Sequence, residues 1–148
     1  MCLILRMERA STMEVLVKHE SGFRFSATCK GYTVTTGRGE DGNEERDGMW
    51  PAQLFEASIG MCIGGYIVKY CEREGIPYDG MTIELSRRTQ SEPSRTTRID
   101  AKIFLGADLS PEQQKGVLEA ADQCHITNSI RESMQVVCFL AETKSANV

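Results

Sequence analysis

The longest apolar stretch of the chain is WPAQLFEASIGMCIGGYIVKYCER, residues 50–73. Apolar side chains recur in it at nearly helical spacing, which is the pattern of a helix with a buried face. Pro51 suits the first helical turn, and Gly75 followed by Pro77 is a stop signal. The segment therefore predicts one long and mostly buried helix.

Strand patterns flank this helix on both sides. Before it, three short β-rich runs between residues 15 and 36 are split by Ser21-Gly22 and Lys30-Gly31, which is typical of an antiparallel meander. After it, Met81 to Arg88 and Arg98 to Leu105 alternate apolar with polar residues. A polar segment joins these two runs and is long enough for an extended hairpin, so a second antiparallel sheet is expected.

The C-terminal part predicts a second helix and a last strand. Ser110-Pro111-Glu112-Gln113 offers a serine N-cap, a proline at the first helical position and a glutamine at the third, so this helix should begin at Pro111. A further helical turn or two is expected from Thr127 or Asn128 to Met134, before a final strand over residues 135–142. The predicted order, βββ-α-ββ-α-β, is an α+β pattern and not a doubly wound one.

Length and charge limit the classes of function. The chain has 148 residues, and we assign residues 1–12 to an N-terminal extension and 13–148 to a single domain. With 17 Lys and Arg against 21 Asp and Glu, it lacks the basic cluster that a nucleic-acid partner requires. No apolar run approaches the roughly 20 residues that cross a bilayer, and no signal-peptide pattern opens the chain. No membrane or nucleic-acid partner is expected, and the expected location is cytoplasmic.

The cysteines are the candidate reactive groups. In the cytoplasm they should be reduced at rest, which favours catalysis or core packing over a disulfide framework. A structural zinc site needs four Cys or His ligands with short paired spacings, and the sequence has no CxxC or HxxxH pair, so no metal is expected. The six cysteines are Cys2, Cys29, Cys62, Cys71, Cys124 and Cys138.

Two of these cysteines lie in unusual contexts. Cys62 is mid-helix beside Gly60, Gly64 and Gly65, and three glycines in one helix cost about 1 kcal/mol each relative to alanine. That cost indicates close approach of another backbone or of a ligand, the alternative being a small buried thiol packed against a neighbouring helix. Cys124 lies where the second helix ends and the backbone restarts as a helix, and N–H groups at such a start favour a thiolate.

The helix PAQLFEASIGMC, residues 51–62, resembles the cysteine-bearing helix of the OsmC/Ohr family, the osmotically inducible and organic hydroperoxide resistance proteins. Arg73–Pro77, Leu109–Gln113 and Ala120–Ile126 resemble later landmarks of that family in the same order. The similarity runs from about residue 13 to about residue 142. It implies an α+β OsmC-like fold with antiparallel sheets and two main helices, and an intertwined homodimer with its site at the subunit interface.

The resemblance also implies a thiol peroxidase that reduces organic hydroperoxides, with hydrogen peroxide as a further candidate. The Cys62 thiolate would attack the O–O bond and become a sulfenic acid, which Cys124 would resolve as a disulfide. A dithiol reductant, of lipoyl type or another thiol, would then restore both thiols by exchange. The implied partners are a second copy of the chain, a hydroperoxide and this reductant, and no cofactor is implied.

Members of the family commonly activate the first cysteine with an arginine from the first hairpin, held by a carboxylate just after the helix-opening proline. Arg24 fits by position, although an exposed strand arginine would look the same. This chain departs from the pattern because neither residue after Pro51 is acidic. The carbonyl oxygen of Gln53 could hold a guanidinium instead, and Arg38 or Arg46 could take the place of Arg24.

Other groups and other functions remain open from the sequence. Glu56 is the nearest carboxylate, but it points about 120° away from Cys62 on a straight helix. His125 could act as an acid or base beside Cys124, or could simply be an exposed residue at a helix boundary. The missing acid favours a rival function, a family member that keeps the dimer and both thiols but serves as a binding or redox-sensing protein. A third alternative is a small enzyme or ligand-binding domain whose cysteines belong to the core.

Overall fold

The computed structural model describes residues 15–37, 48–132, 134 and 136. The chain divides into two compact units, Met1–Phe55 and Glu56–Val148, and α1 runs from the first into the second. Within the described residues the elements, in chain order, are β1 Leu16–Ser21, β2 Arg24–Cys29, β3 Tyr32–Thr36, α1 Pro51–Glu74, β4 Thr82–Ser91, β5 Ser94–Phe104, α2 Pro111–Asp122 and α3 His125–Arg131.

The first unit contains an antiparallel three-stranded sheet in the order β1-β2-β3. Leu16 pairs with Thr28, and Phe25 pairs with Thr36. Gly22, with a φ of 45°, lies in the first turn, where a residue without a side chain adopts the left-handed region at little cost. The predicted meander is confirmed.

Helix α1 begins and ends where the sequence signals predict. The side-chain oxygen of Gln53 accepts the backbone N–H of Trp50 at 2.9 Å, which satisfies one of the donors that a helix start leaves open. At the other end Gly75 has a φ of 67°, and the N–H of Ile76 donates to the carbonyl of Cys71 at 2.9 Å. Gln53 therefore caps α1, which is a simpler role than the guanidinium clamp considered from the sequence.

The core of the second unit forms where α1 meets the β4–β5 hairpin. Residues spaced four apart on α1 are buried there, and Ile83 of β4 pairs with Ile103 of β5. The two strands continue into the polar segment that the sequence assigns to their connection. The sequence pattern does not reveal these strand ends, because exposed strand residues show no alternation of apolar and polar side chains. The buried apolar cluster is Ile59, Ile63, Ile67, Cys71, Ile76, Leu105, Val117 and Cys124.

Helices α2 and α3 follow the hairpin. The predicted capping box is confirmed: the Ser110 hydroxyl accepts the N–H of Gln113 at 3.2 Å, and the Gln113 side chain accepts the N–H of Ser110 at 2.9 Å. Helix α3 begins at His125, two or three residues before the predicted start at Thr127 or Asn128, because Cys124 serves as its N-cap. In the ranges 15–37 and 48–132, no helix has the length and hydropathy to cross a membrane.

Three sequence predictions fall on residues outside those described. They are the N-terminal extension over residues 1–12, the loop before α1 with Arg38 and Arg46, and all of the final strand over residues 135–142 except Val136, which has no strand conformation. The assignment of residues 13–148 to one domain stays a prediction.

Candidate functional site

Helix α1 holds Cys62 beside the core of the second unit, with its side chain half-buried. A β-carbon at Gly60 would lie 2.8 Å from Cδ1 of Leu85, and one at Gly64 would lie 3.5 Å from Cδ1 of Ile83. These two glycines therefore let α1 lie close to the side chains of β4. The close neighbours here are side chains, whereas the sequence suggested another backbone or a ligand. Gly65 differs, because a β-carbon there would meet no described atom within 4 Å.

Small residues on α2 bring the end of that helix close to α1. The ring of Tyr70 rests on Gly116 so closely that a β-carbon at position 116 would overlap the tyrosine hydroxyl. One turn later Ala120 is buried as well. Cys124 follows two turns after Gly116 and is 0% exposed. An ion pair between Arg131 and Asp122 at 2.8 Å ties α3 to the end of α2, though its exposure limits its contribution to about 1 kcal/mol or less.

The structure brings Cys62 and Cys124 together closely enough for the Cys62 side chain to lower the pKa of the Cys124 thiol, and both are free thiols. The sulfur of Cys124 also accepts the backbone N–H of Thr127 at 3.5 Å and is approached by the N–H of Ile126. Burial opposes ionisation of Cys124, but the donors on Thr127, Cys62 and Ile126 outweigh it, so the pKa of this thiol falls below its ordinary value.

Thr127 is a residue of this site that no sequence motif indicated. Its side chain favours the thiolate of Cys124, yet its buried Oγ1 has no partner within normal hydrogen-bond geometry, alone among the buried side-chain N and O atoms of the described residues. The available signal is the spacing from Cys124, because the third residue of a helix presents its N–H to the N-cap side chain. Using that signal requires placing the start of α3 at His125, whereas the sequence pattern predicted a start at Thr127 or Asn128.

The other described cysteines have structural roles. Cys71 is 0% exposed in the core, and burial raises the pKa of its thiol. Cys29 ends β2 and is half-buried. Cys2 and Cys138 lie outside the described residues.

The charged groups considered from the sequence are placed as follows. Arg24 begins β2 in the first unit, whereas both paired cysteines belong to the second, and its role stays a prediction. The carboxylate of Glu56 accepts a hydrogen bond from Arg87 of β4 at 2.6 Å, with the glutamate side chain only 16% exposed. His125 is exposed and is not among the groups that shift the pKa of Cys124.

An open cleft of about 370 Å³ runs between α1 and α2, with Tyr66, Lys69 and Arg73 on one wall and Glu119 and Gln123 on the other. The two cysteines are not among the residues that line it. Across the described ranges, no three His, Cys, Asp or Glu side chains are grouped as metal ligands would be.

Comparison with known proteins identifies the family. Residues 41–138 match the family model described as OsmC-like protein. The chain belongs to the OsmC-like family. No protein of curated function matches this OsmC-like chain in sequence. The family resemblance derived from the helix motif and the later landmarks is therefore confirmed.

Solved structures share the fold of this OsmC-like protein. A Psychrobacter arcticus 273-4 protein, provisionally named as an osmotic stress induced and detoxification response protein, has a TM-score of 0.71 and 20% identity over 80% of this chain and 88% of its own. An OsmC-like protein from Mycoplasma pneumoniae has a TM-score of 0.69 and 9% identity, covering 84% and 90% of the two chains. The organic hydroperoxide resistance protein OhrB of Bacillus subtilis has a TM-score of 0.53 and 18% identity, covering 80% and 91%. At these identities the likeness establishes the fold, and the α+β OsmC-like architecture is confirmed.

Proposed function

We propose that this OsmC-like protein is a thiol-dependent peroxidase for organic hydroperoxides, with Cys62 as the peroxidatic cysteine and Cys124 as the resolving one. The supporting observation is the cysteine pair itself, in which a half-buried thiol lies beside a buried one and lowers its pKa. The shared fold with an organic hydroperoxide resistance protein agrees with this reaction class. A cytoplasmic location fits the proposal because both thiols must be reduced at rest.

The reaction balances with these two sulfur atoms alone. The Cys62 thiol passes its proton to the Cys124 thiolate and attacks one peroxide oxygen, the O–O bond breaks, and the alkoxide takes that proton from Cys124 and leaves as the alcohol. The Cys124 thiolate then attacks the sulfur of the Cys62 sulfenic acid, and hydroxide leaves as water after protonation. Two electrons pass from the two thiols to the peroxide. A dithiol reductant returns them through a mixed disulfide, and hydrogen peroxide is a smaller substrate for the same steps.

A second copy of the chain is part of the proposal. Met61 is 72% exposed and Gly65 faces open space one turn later, so the surface of α1 beside Cys62 is partly apolar and has room for close approach. Gly65→Ala should raise the stability of a monomer by about 1 kcal/mol through helix propensity. If a partner helix packs there, the same change should weaken self-association measured by sedimentation equilibrium. A wild-type chain that sediments as a monomer would contradict the dimer.

The direct test is hydroperoxide consumption with dithiothreitol as reductant. Wild-type protein should consume cumene hydroperoxide, and Cys62→Ser should reduce the rate to the background without protein. Cys124→Ser should lose turnover while still forming the sulfenic acid. Cys29→Ser is the matched control, since this half-buried thiol lies at the end of β2. A wild-type rate equal to that of Cys62→Ser would reject the peroxidase.

Arg24 enters the proposal on the family resemblance alone. If its guanidinium assists Cys62, Arg24→Ala should lower the rate of peroxide consumption, and Arg24→Lys should keep part of it because the charge remains. An unchanged rate in Arg24→Ala would remove this residue from the proposed site.

A redox-sensing or binding protein is the second candidate function. The lack of an available carboxylate at the start of α1 to hold an activating arginine favours it. No acid directly follows Pro51, and Glu56 is already paired with Arg87. In that case the Cys62–Cys124 disulfide should form with diamide, while hydroperoxide is consumed no faster than by Cys62→Ser. The two assays on one sample therefore separate the two functions.

A further inference from the structure

Hydrogen-bond donors reach the sulfur of Cys124 inside the buried apolar cluster. Thr127 gives its backbone N–H to this sulfur at 3.5 Å. The backbone N–H of Ile126 and the thiol of Cys62 also lower the pKa of Cys124. The buried Thr127 hydroxyl also acts on this sulfur and has no other partner. An anionic sulfur accepts several such bonds, whereas a neutral thiol is a weak acceptor. The surroundings of Cys124 are therefore built for the thiolate.

The two sulfurs also differ in access. Cys124 is 0% exposed, whereas Cys62 is half-buried on α1. A thiolate attacks a disulfide at one sulfur and expels the other, and the preferred direction combines access to the attacked sulfur with stability of the departing anion. Both factors favour attack on the sulfur of Cys62 and departure of Cys124 as the thiolate.

We infer that the Cys62–Cys124 disulfide has a fixed polarity, in which the incoming thiol attacks Cys62 and Cys124 departs as the thiolate held by Thr127. This inference rests on the proposed function, because it concerns the step that restores the reduced pair.

The exchange balances as follows. The reductant thiolate forms a bond to the sulfur of Cys62 as the Cys62–Cys124 bond breaks, and the electron pair of that bond stays on Cys124. The second thiol of a dithiol then attacks the reductant sulfur of the mixed disulfide and expels Cys62, which takes up a proton. The dithiol is oxidised to its disulfide, and the protein pair gains two electrons.

The test needs no peroxide. Protein oxidised with diamide to the Cys62–Cys124 disulfide is mixed briefly with glutathione and quenched with acid, and the adducts are located by mass spectrometry. Trypsin should release the two cysteines separately, in residues 47–69 and 116–131. We expect at least tenfold more glutathione on the Cys62 peptide. Most of the adduct on the Cys124 peptide, or no such disulfide after diamide, would overturn the inference.

Variants of α3 test why Cys124 departs. Thr127→Val removes the hydroxyl donor and should slow reduction by glutathione several-fold, because a less stabilised thiolate leaves more slowly. Thr127→Ser should restore the rate. Ser129→Ala is the matched control, since this hydroxyl on the same helix donates to the carbonyl of His125 at 2.8 Å instead. Equal rates in Thr127→Val and wild type would remove Thr127 from the step.

A failure of the inferred polarity can be distinguished from a failure of the proposed peroxidase function. Diamide makes the disulfide whether or not the protein reduces hydroperoxides. A negative cumene hydroperoxide assay with the adduct on Cys62 would reject the peroxidase and keep the polarity. A positive assay with the adduct on Cys124 would do the reverse.

Discussion

Cys71 and Cys124 are both 0% exposed, yet the protein shifts their pKa values in opposite directions. Cys71 is on a continuous helix in the apolar cluster, where burial alone acts on it and raises its pKa. Cys124 belongs to the same cluster but is at a helix junction, where donors on Thr127, Cys62 and Ile126 overcome the effect of burial. Burial therefore does not decide whether a cysteine is inert, and the donors around its sulfur do.

The largest expected effect is on the ionisation of the two thiols. Followed by the ultraviolet absorbance of the thiolate, the wild-type minus Cys124→Ser difference should titrate below the free-cysteine value of about 8.5. The wild-type minus Cys71→Ser difference should titrate above it, because desolvation favours the neutral thiol. Two coincident titrations would erase the distinction between the two buried cysteines.

Substitution by serine should also cost the two positions unequally. Cys71→Ser places a hydroxyl in an apolar core and should lower the free energy of unfolding by about 1–3 kcal/mol. Cys124→Ser should be nearly neutral, because serine is among the best N-cap residues and can accept the N–H of Thr127. Urea unfolding of the three proteins measures both changes. An equal loss would mean that the cap contributes nothing at Cys124.

The smallest expected effect is on stability at alkaline pH. The folded pKa of Cys71 is raised, so its contribution is complete below the unfolded value of about 8.5 and is lost as the pH rises towards the folded pKa. The folded pKa of Cys124 is lowered, so its contribution is complete above that value and is lost as the pH falls through the folded pKa. Between neutral pH and about pH 9.5, Cys71→Ser should therefore lose less stability than wild type, and Cys124→Ser should lose more. The reverse order in urea midpoints would contradict both signs.

Local sequence patterns predicted much of the fold. Ser110 and Gln113 cap the start of α2, and Gly75 marks the end of α1. Both signals act between residues that are close in the chain, so the sequence spacing reveals them. The ends of β4 and β5 were less visible because their outer residues are exposed and polar. The start of α3 was misplaced because its N-cap is a cysteine, a residue rarely considered for that role.

The candidate site was predicted only in part, for a physical reason. The family resemblance selected Cys62 and Cys124, but the surroundings of each sulfur depend on contacts that no short motif contains. The pairing of Glu56 with Arg87 joins residues 31 positions apart, and the donors on Thr127 follow from where α3 begins. Sequence spacing carries little information about either.

The contact between Tyr70 and Gly116 has a consequence for recognising related proteins. Position 116 has no room for a methyl group beside the Tyr70 ring, so this contact between α1 and α2 requires a residue without a side chain. Larger residues there would displace the tyrosine ring or the helix that leads to Cys124. When genomes are searched for chains of this kind, a glycine eight positions before the second cysteine, matched by an aromatic residue eight positions after the first, should be a more selective criterion than the cysteines by themselves.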